Sequence, residues 1–232
     1  MATLHVLSGG AAQGLVRALE TRFAETAGAA IAGRFGAVGA MKESLLAGEP
    51  CDLMITTGAM VDELVAAGQL RADARSPLGR VRTGIAVRRG DPLPDASSAA
   101  ALKAALRAAN AIHFPDPQRA TAGIHFANVL RRLGIHDEVH ARCLTFPNGA
   151  AAMRALASSS AARPIGCTQL SEILATEGIV AAGPLPDPFG LETVYTAAVT
   201  TRAAEPALAL RLVELLAGEG SRAIRGAAGF ES

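Results

Sequence analysis

The feature that most constrains this chain is a repeated unit near its start: a short apolar run, a bare turn, a helix-like run and a closing glycine. "TLHVLS" reads as a strand, and residues 13–27 follow as an amphipathic helix ending at Gly28. "AAIAGRFG" is the next strand, and "AVGAMKESLLAG" is a helix closed by Gly48. "CDLMITT" and "GAMVDELVAAG" repeat the pattern to Gly68. Strands that alternate with helices predict a parallel sheet with crossover helices, and the glycines stand where a helix ends in a left-handed residue.

The alternation continues. "GRVRTGIAVRRG" reads as a longer strand, and a turn and helix occupy "DPLPDASSAAALKAALRAAN". "AIHFPDP" is strand then loop, and "TAGIHFANVLRRLGI" is a helix. "EVHARCLTFPNG" leads into the helix "AAAMRALASSS", and "PIGCTQLSEILATEG" holds a strand and a short helix. "GIVAAGPLPDPFG" and "ETVYTAAVTT" are strands around a Pro/Gly turn, and the tail from "EPALALRLVELL" is helical. At 232 residues the chain is one large domain or two small lobes, and a 50% hydrophobic content supplies the core.

Composition removes several function classes. With no Trp, one Tyr and seven Phe, an aromatic stacking surface for nucleic acid or sugar is not expected. A formal net charge of +1 gives no electrostatic footprint for nucleic acid or an acidic membrane. No run is long and apolar enough to insert into a bilayer. Cys51, Cys143 and Cys167 have neither metal-ligand nor disulfide spacing and read as three small buried residues. "MATLHVLSGG" enters a strand with no basic leader or cleavage site, which predicts a cytoplasmic protein. A mature chain trimmed of an export signal would read the same way and be periplasmic. No oligomeric state follows from the sequence.

Ligand sites in open parallel sheets lie at the carboxyl ends of the strands, where loops enter helices. Here those loops are Ser8–Ala12, Phe35–Ala40, Thr56–Gly58, Pro115–Gly123, Pro147–Ala150 and Cys167–Ser171. Helix starts carry unpaired N–H groups and partial positive charge, so a site built from them suits a small oxyanion or carboxylate. The expected ligand-binding positions are Ser8, Gly9, Gly10, Ala11, Ala37, Val38, Gly39, Thr57, Arg119, Thr121, Ala122, Gly123, Asn148, Gly149 and Gln169. "SGGAAQG" lacks the Gly-Lys-Ser/Thr of a P-loop, and the first strand is not followed by G-x-G-x-x-G.

"LHVLSGGAAQGLVRALETRFAETAG", "FGAVGAMKESLLAGEPCDLMITTGAMVDELVAAGQL", "PDPQRATAGIHFANVLRRLGI" and "RPIGCTQLSEI" resemble the molybdate-binding proteins of ABC transporters, which are type II periplasmic binding proteins. The most specific stretch is the Gly-x-Pro-x-Asp turn at Gly48–Asp52 with the strand and helix after it. The resemblance covers almost the whole chain. It implies an α/β fold of two lobes, each a mainly parallel sheet flanked by helices, with a ligand cleft between them. Lobe 1 is then 1–82 plus 200–232, lobe 2 is 83–195, and crossover strands lie near 83–88 and 192–199. In that family two serine hydroxyls and a tyrosine hold the anion; here the matching positions fall near Ala11, Val38 and Gln169. Loss of those donors argues against molybdate, since each charge-assisted hydrogen bond contributes about 1.5–3 kcal/mol.

"SGGAAQG" with its glycine-rich second loop and "QLSEI" also resemble aconitate isomerase, a member of the same fold that moves a double bond in a tricarboxylate. The resemblance implies a cofactor-independent, metal-free isomerase of a small di- or tricarboxylate. A 1,3-allylic proton shift needs a base and stabilisation of the enolate-like carboxylate. The preferred base is His125, just inside the helix opened by "TAG"; Asp116 in "FPDPQ" and Lys42 early in the second helix are the other titratable candidates, with Arg119 as carboxylate grip. Against these stand a half-buried helix histidine, a turn-capping aspartate, a solvent-facing lysine and a solvated arginine. Glu172 reads as a solvent-facing residue of a short helix, and His136–His140 as a solvated surface turn. The alternative function is a solute receptor for an oxyanion or small carboxylate, with an ABC permease as partner only if the chain is exported. A ligand sensor without turnover is the third.

Overall fold

In the computed structural model, residues 2–232 are described. In chain order the elements are β1 (Ala2–Gly9), α1 (Gln13–Ala27), β2 (Ala29–Gly36), α2 (Val38–Leu46), β3 (Leu53–Thr57), α3 (Gly58–Ala66), β4 (Leu70–Arg88), α4 (Ala99–Ala108), β5 (Ala111–Pro115) and α5 (Thr121–Arg132). Then follow α6 (His136–Val139), β6 (Cys143–Phe146), α7 (Gly149–Ala157), β7 (Pro164–Gln169), α8 (Leu170–Leu174), β8 (Ile179–Pro184), β9 (Glu192–Thr200), α9 (Pro206–Ala217) and α10 (Arg222–Ala227). The chain forms two compact units, Met1–Val81 with Thr193–Ser232, and Arg82–Glu192. Thr193–Thr200, the greater part of β9, therefore groups with the first unit.

The first unit carries the strand order β2-β1-β3-β9, parallel except for β9 against β3. Its core joins Leu4, Val6, Leu53 and Ile55 of the sheet to Leu15, Leu19 and Phe23 of α1 and to Leu212 and Leu216 of α9. α1 is helical because its apolar residues recur on one face, and it stops at Gly28, whose φ of +67° closes the helix through a bond to the Ala24 carbonyl. The Gly-x-Pro-x-Asp turn has a physical reason. Asp52 is buried, and its carboxylate accepts backbone N–H bonds from His5 (2.8 Å), Ala204 (2.7 Å) and Glu205 (3.0 Å). One side chain thus joins the start of β3 to β1 and to the segment entering α9.

In the second unit β5 pairs in parallel with β6 and β7, while β7 and β8 pair antiparallel with β4. Ile85, Val87, Ile112, Phe114 and Ile165 pack on one face against Leu102 and Leu106 of α4 and Phe126, Val129 and Leu130 of α5. Ala152, Met153 and Leu156 of α7 pack with Ala86, Ile173 and Ile179 in a separate cluster. Cys167 is buried as expected, whereas Cys51 and Cys143 are only partly covered. Among the described residues no helix is long and apolar enough to cross a membrane.

Candidate functional site

The helix starts at the carboxyl ends of the parallel strands fall into two classes: those already capped by the chain and those left open. In the first unit β1 runs into a 3-10 turn, Gly10–Ala12, that has no side-chain cap. α2 begins at Ala37, again without a side-chain cap. α3 is capped, because Thr57 Oγ1 accepts the Met60 N–H at 3.3 Å. The wall around the open starts is apolar. Ala11, Ala37 and Val38 are buried, and a Cβ on Gly9 would stand 2.9 Å from Val38 Cγ1 and 3.2 Å from Tyr195 Cε1. Glycine is therefore needed at 9 for close approach. Tyr195, the single tyrosine, pairs in register with Thr57 and meets Phe230 edge-on.

In the second unit α5 starts at Ala120 with no side-chain cap, so the N–H groups of Thr121, Ala122 and Gly123 lie beyond the helix's own ladder. A Cβ on Gly123 would collide with the carbonyls of Pro115 and Asp116, so only glycine lets the helix begin this close to the end of β5. Asp116 Oδ1 accepts the N–H groups of Gln118 (2.7 Å) and Arg119 (3.2 Å), which shapes the loop. Oδ2 accepts no hydrogen bond among the described residues.

α7 is the opposite case. Asn148 Oδ1 accepts the Ala151 N–H at 2.9 Å, and the carboxyl group of Glu172 lies against the same helix start beside Gly149. The same carboxyl group accepts the Thr168 hydroxyl at 2.5 Å. Glu172 is buried, and burial pushes its pKa up while the Thr168 hydroxyl and the nearby Gln169 and Ala150 backbones pull it down. A Cβ on Gly149 would fall on Glu172 Oε2 and Thr168 Oγ1.

Several sequence expectations change accordingly. Glu172 does not face solvent; it is sealed between two helix starts. Ser8 is fully buried, and its hydroxyl donates to the Gly9 carbonyl at 2.9 Å, because it continues the interior face of Leu4 and Val6. Thr57 and Asn148 spend their side chains as caps. Lys42 pairs with Glu63 of α3 at 2.5 Å. His125 sits one turn into α5 with Nε2 2.7 Å from the Phe189 carbonyl. A carbonyl only accepts, so Nε2 carries the proton and the ring ties α5 to the 185–191 turn. Arg119 is exposed on the loop before α5, and Gln169 is buried as the residue before α8.

Sequence reasoning missed three buried polar groups here, Thr83, Thr168 and His113, and placed a fourth, Glu172, in solvent. Thr83 pairs with Gln169 across β4 and β7, and its hydroxyl has no partner among the described residues. His113 stacks on Phe146 with both ring nitrogens unpartnered, and burial pushes its pKa down. Buried polar atoms without partners are uncommon, and strand position alone does not mark them. Among the described residues no cluster of three His, Cys, Asp or Glu is placed to hold a metal ion. A cavity of about 460 Å³ lies elsewhere in the second unit, between the Pro92–Pro94 turn, α4 and the start of β7. Its walls are mostly alanine and proline, and it is at the strand ends opposite the open helix starts, so it offers no comparable set of donors.

The family model for bacterial extracellular solute-binding proteins matches residues 4–231. The aconitate isomerase of a Pseudomonas species is 30% identical over 223 residues, covering 94% of this chain and 83% of that protein. Among solved structures, the periplasmic molybdate-binding protein of Azotobacter vinelandii superposes with a TM-score of 0.81 at 22% identity, covering 99% of both chains. The sulfate-binding protein SubI of Mycobacterium tuberculosis does so with a TM-score of 0.77 at 18% identity, over 99% of this chain and 86% of that one. The chain is thus a member of the bacterial extracellular solute-binding protein family, with an α/β fold whose solved neighbours are periplasmic binding proteins.

Proposed function

We propose that this protein is an isomerase that moves a double bond within a small unsaturated di- or tricarboxylate by allylic proton transfer. The observation that carries the reading is the likeness to aconitate isomerase along 94% of the chain. The geometry supports it: open helix starts supply N–H donors for a carboxylate, and apolar groups stand at Ala11 and Val38. In this reading the N–H groups of Thr121–Gly123 hold the carboxylate whose charge grows as a neighbouring C–H bond is broken. Asp116 Oδ2 takes that proton, the electron pair forms the new double bond, and the proton returns to the far carbon of the old one. Asp116 is preferred over His125 because His125 Nε2 is committed to Phe189 while Asp116 Oδ2 is uncommitted.

Proton NMR of cis- and trans-aconitate in D₂O tests the reading. Interconversion with deuterium entering the product is expected, and Asp116→Asn should slow it by about 10²–10⁴-fold with binding retained. Absence of exchange across a panel of unsaturated acids would remove the enzyme. The second reading, a carboxylate or oxyanion receptor serving a transporter permease, draws support from the family model and the molybdate- and sulfate-binding neighbours. It predicts tight binding with no exchange.

A further inference from the structure

Two helix starts in the second unit, α5 and α7, follow neighbouring parallel strands, and only one of them is open. At α7 the chain has placed a carboxyl group of its own. Glu172 reaches back from the first turn of α8, in the manner of a capping box, and its Oε2 lies where a Cβ on Gly149, the first residue of α7, would fall. The room for it exists because residue 149 is glycine, and Thr168 fixes one carboxyl oxygen.

We infer that Glu172 is a specificity-determining residue: its carboxyl group fills the anion position at the start of α7, so that the second unit accepts an external carboxylate at α5 and rejects a tetrahedral dianion. A planar carboxylate needs few donors and is served by one helix start. A sulfate- or molybdate-like dianion presents four oxygens and more charge, and the Glu172 carboxyl group leaves it neither room nor free donors at the start of α7. The carboxyl group is thus a built-in ligand mimic as well as a tie between two helices.

This inference rests on the reading that the ligand is a carboxylate, and its test does not use turnover. Glu172→Ala removes the internal group and opens its place beside the Ala150 and Gln169 backbones. Formate or acetate should then restore the variant's melting temperature in a saturable way, by ~3 °C or more, with chloride at equal ionic strength ineffective and wild type unresponsive. Sulfate affinity relative to trans-aconitate should rise at least tenfold in Glu172→Ala. Should that variant not fold, Glu172→Gln supplies the same ratio, since it keeps the shape and offers an anion an N–H donor in place of a carboxyl oxygen; a rise of at least threefold is expected there. Equal formate responses in wild type and Glu172→Ala, or an unchanged sulfate-to-carboxylate ratio in a folded variant, would overturn the inference. Failure of the aconitate exchange assay with formate rescue intact would remove the isomerase and leave Glu172 as the internal carboxyl group.

Discussion

The starts of α5 and α7 pose the same physical problem and solve it in opposite ways. Each begins just after a parallel strand, and each presents N–H groups that the helix cannot satisfy. At α7 the chain supplies both Asn148 and Glu172. At α5 it supplies only alanine at the capping position. A cap is worth about 1 kcal/mol, so an uncapped start is a local cost that a ligand can offset. The first unit repeats the contrast, with α3 capped by Thr57 and α2 left open. Where the chain withholds its own polar atoms is therefore more informative about the ligand than where it places them.

The largest expected effect comes from forcing the closed site open. Gly149→Ala puts a methyl group on the Glu172 carboxyl oxygen, and displacing that buried group from its place and from Thr168 should cost about 1–3 kcal/mol, read as a lowered urea midpoint. An unchanged midpoint would mean that Glu172 is not held as described. Next in size is the reverse experiment at α5. Ala120→Ser installs a cap where the backbone is already extended (φ −102°, ψ 128°). It should raise stability by about 0.5–1 kcal/mol and weaken carboxylate binding, because the new hydroxyl competes for the same N–H groups. Stabilisation without loss of affinity would place the ligand elsewhere.

These contrasts also show what the sequence could and could not reveal. The strand–helix alternation was legible because period and punctuation are local: Gly28, Gly48 and Gly68 all take positive φ where helices end. Asp52 stood out through its Gly-x-Pro-x-Asp turn, although its three N–H partners include residues about 150 positions away. Glu172 was misread because its burial depends on Gly149, which belongs to a different strand–helix unit, and because its capping position is Gln169 instead of the usual serine or threonine. Ser8 and Thr57 have the right chemistry for a ligand but spend it on Gly9 and Met60. Which hydroxyl is spent locally is decided by rotamer and packing, and spacing carries no trace of that.

A pH titration of stability sharpens the picture of the closed site. Burial raises the Glu172 pKa above its ordinary 4.5, so the folded chain holds a proton that the unfolded chain releases sooner. This group's contribution is full below about 4.5 and is lost as pH rises through the raised native value. Glu172→Gln should flatten that part of the profile, and an unaltered slope would mean the carboxyl group is better hydrated than its burial indicates. The smallest expected effect is chemical. Burial pushes the Cys51 thiol up to about 12 and that of Cys167 well above its ordinary value, so both should react slowly with a thiol reagent at pH 8 and rapidly once the chain is unfolded.

The most direct test of the account is a backbone amide titration with trans-aconitate in ¹⁵N-labelled protein. Saturable shifts are expected at Thr121, Ala122 and Gly123, with Ala150 and Gln169 nearly still because the Glu172 carboxyl group already fills that place. Shifts concentrated at Ala150 and Gln169, with α5 silent, would contradict it.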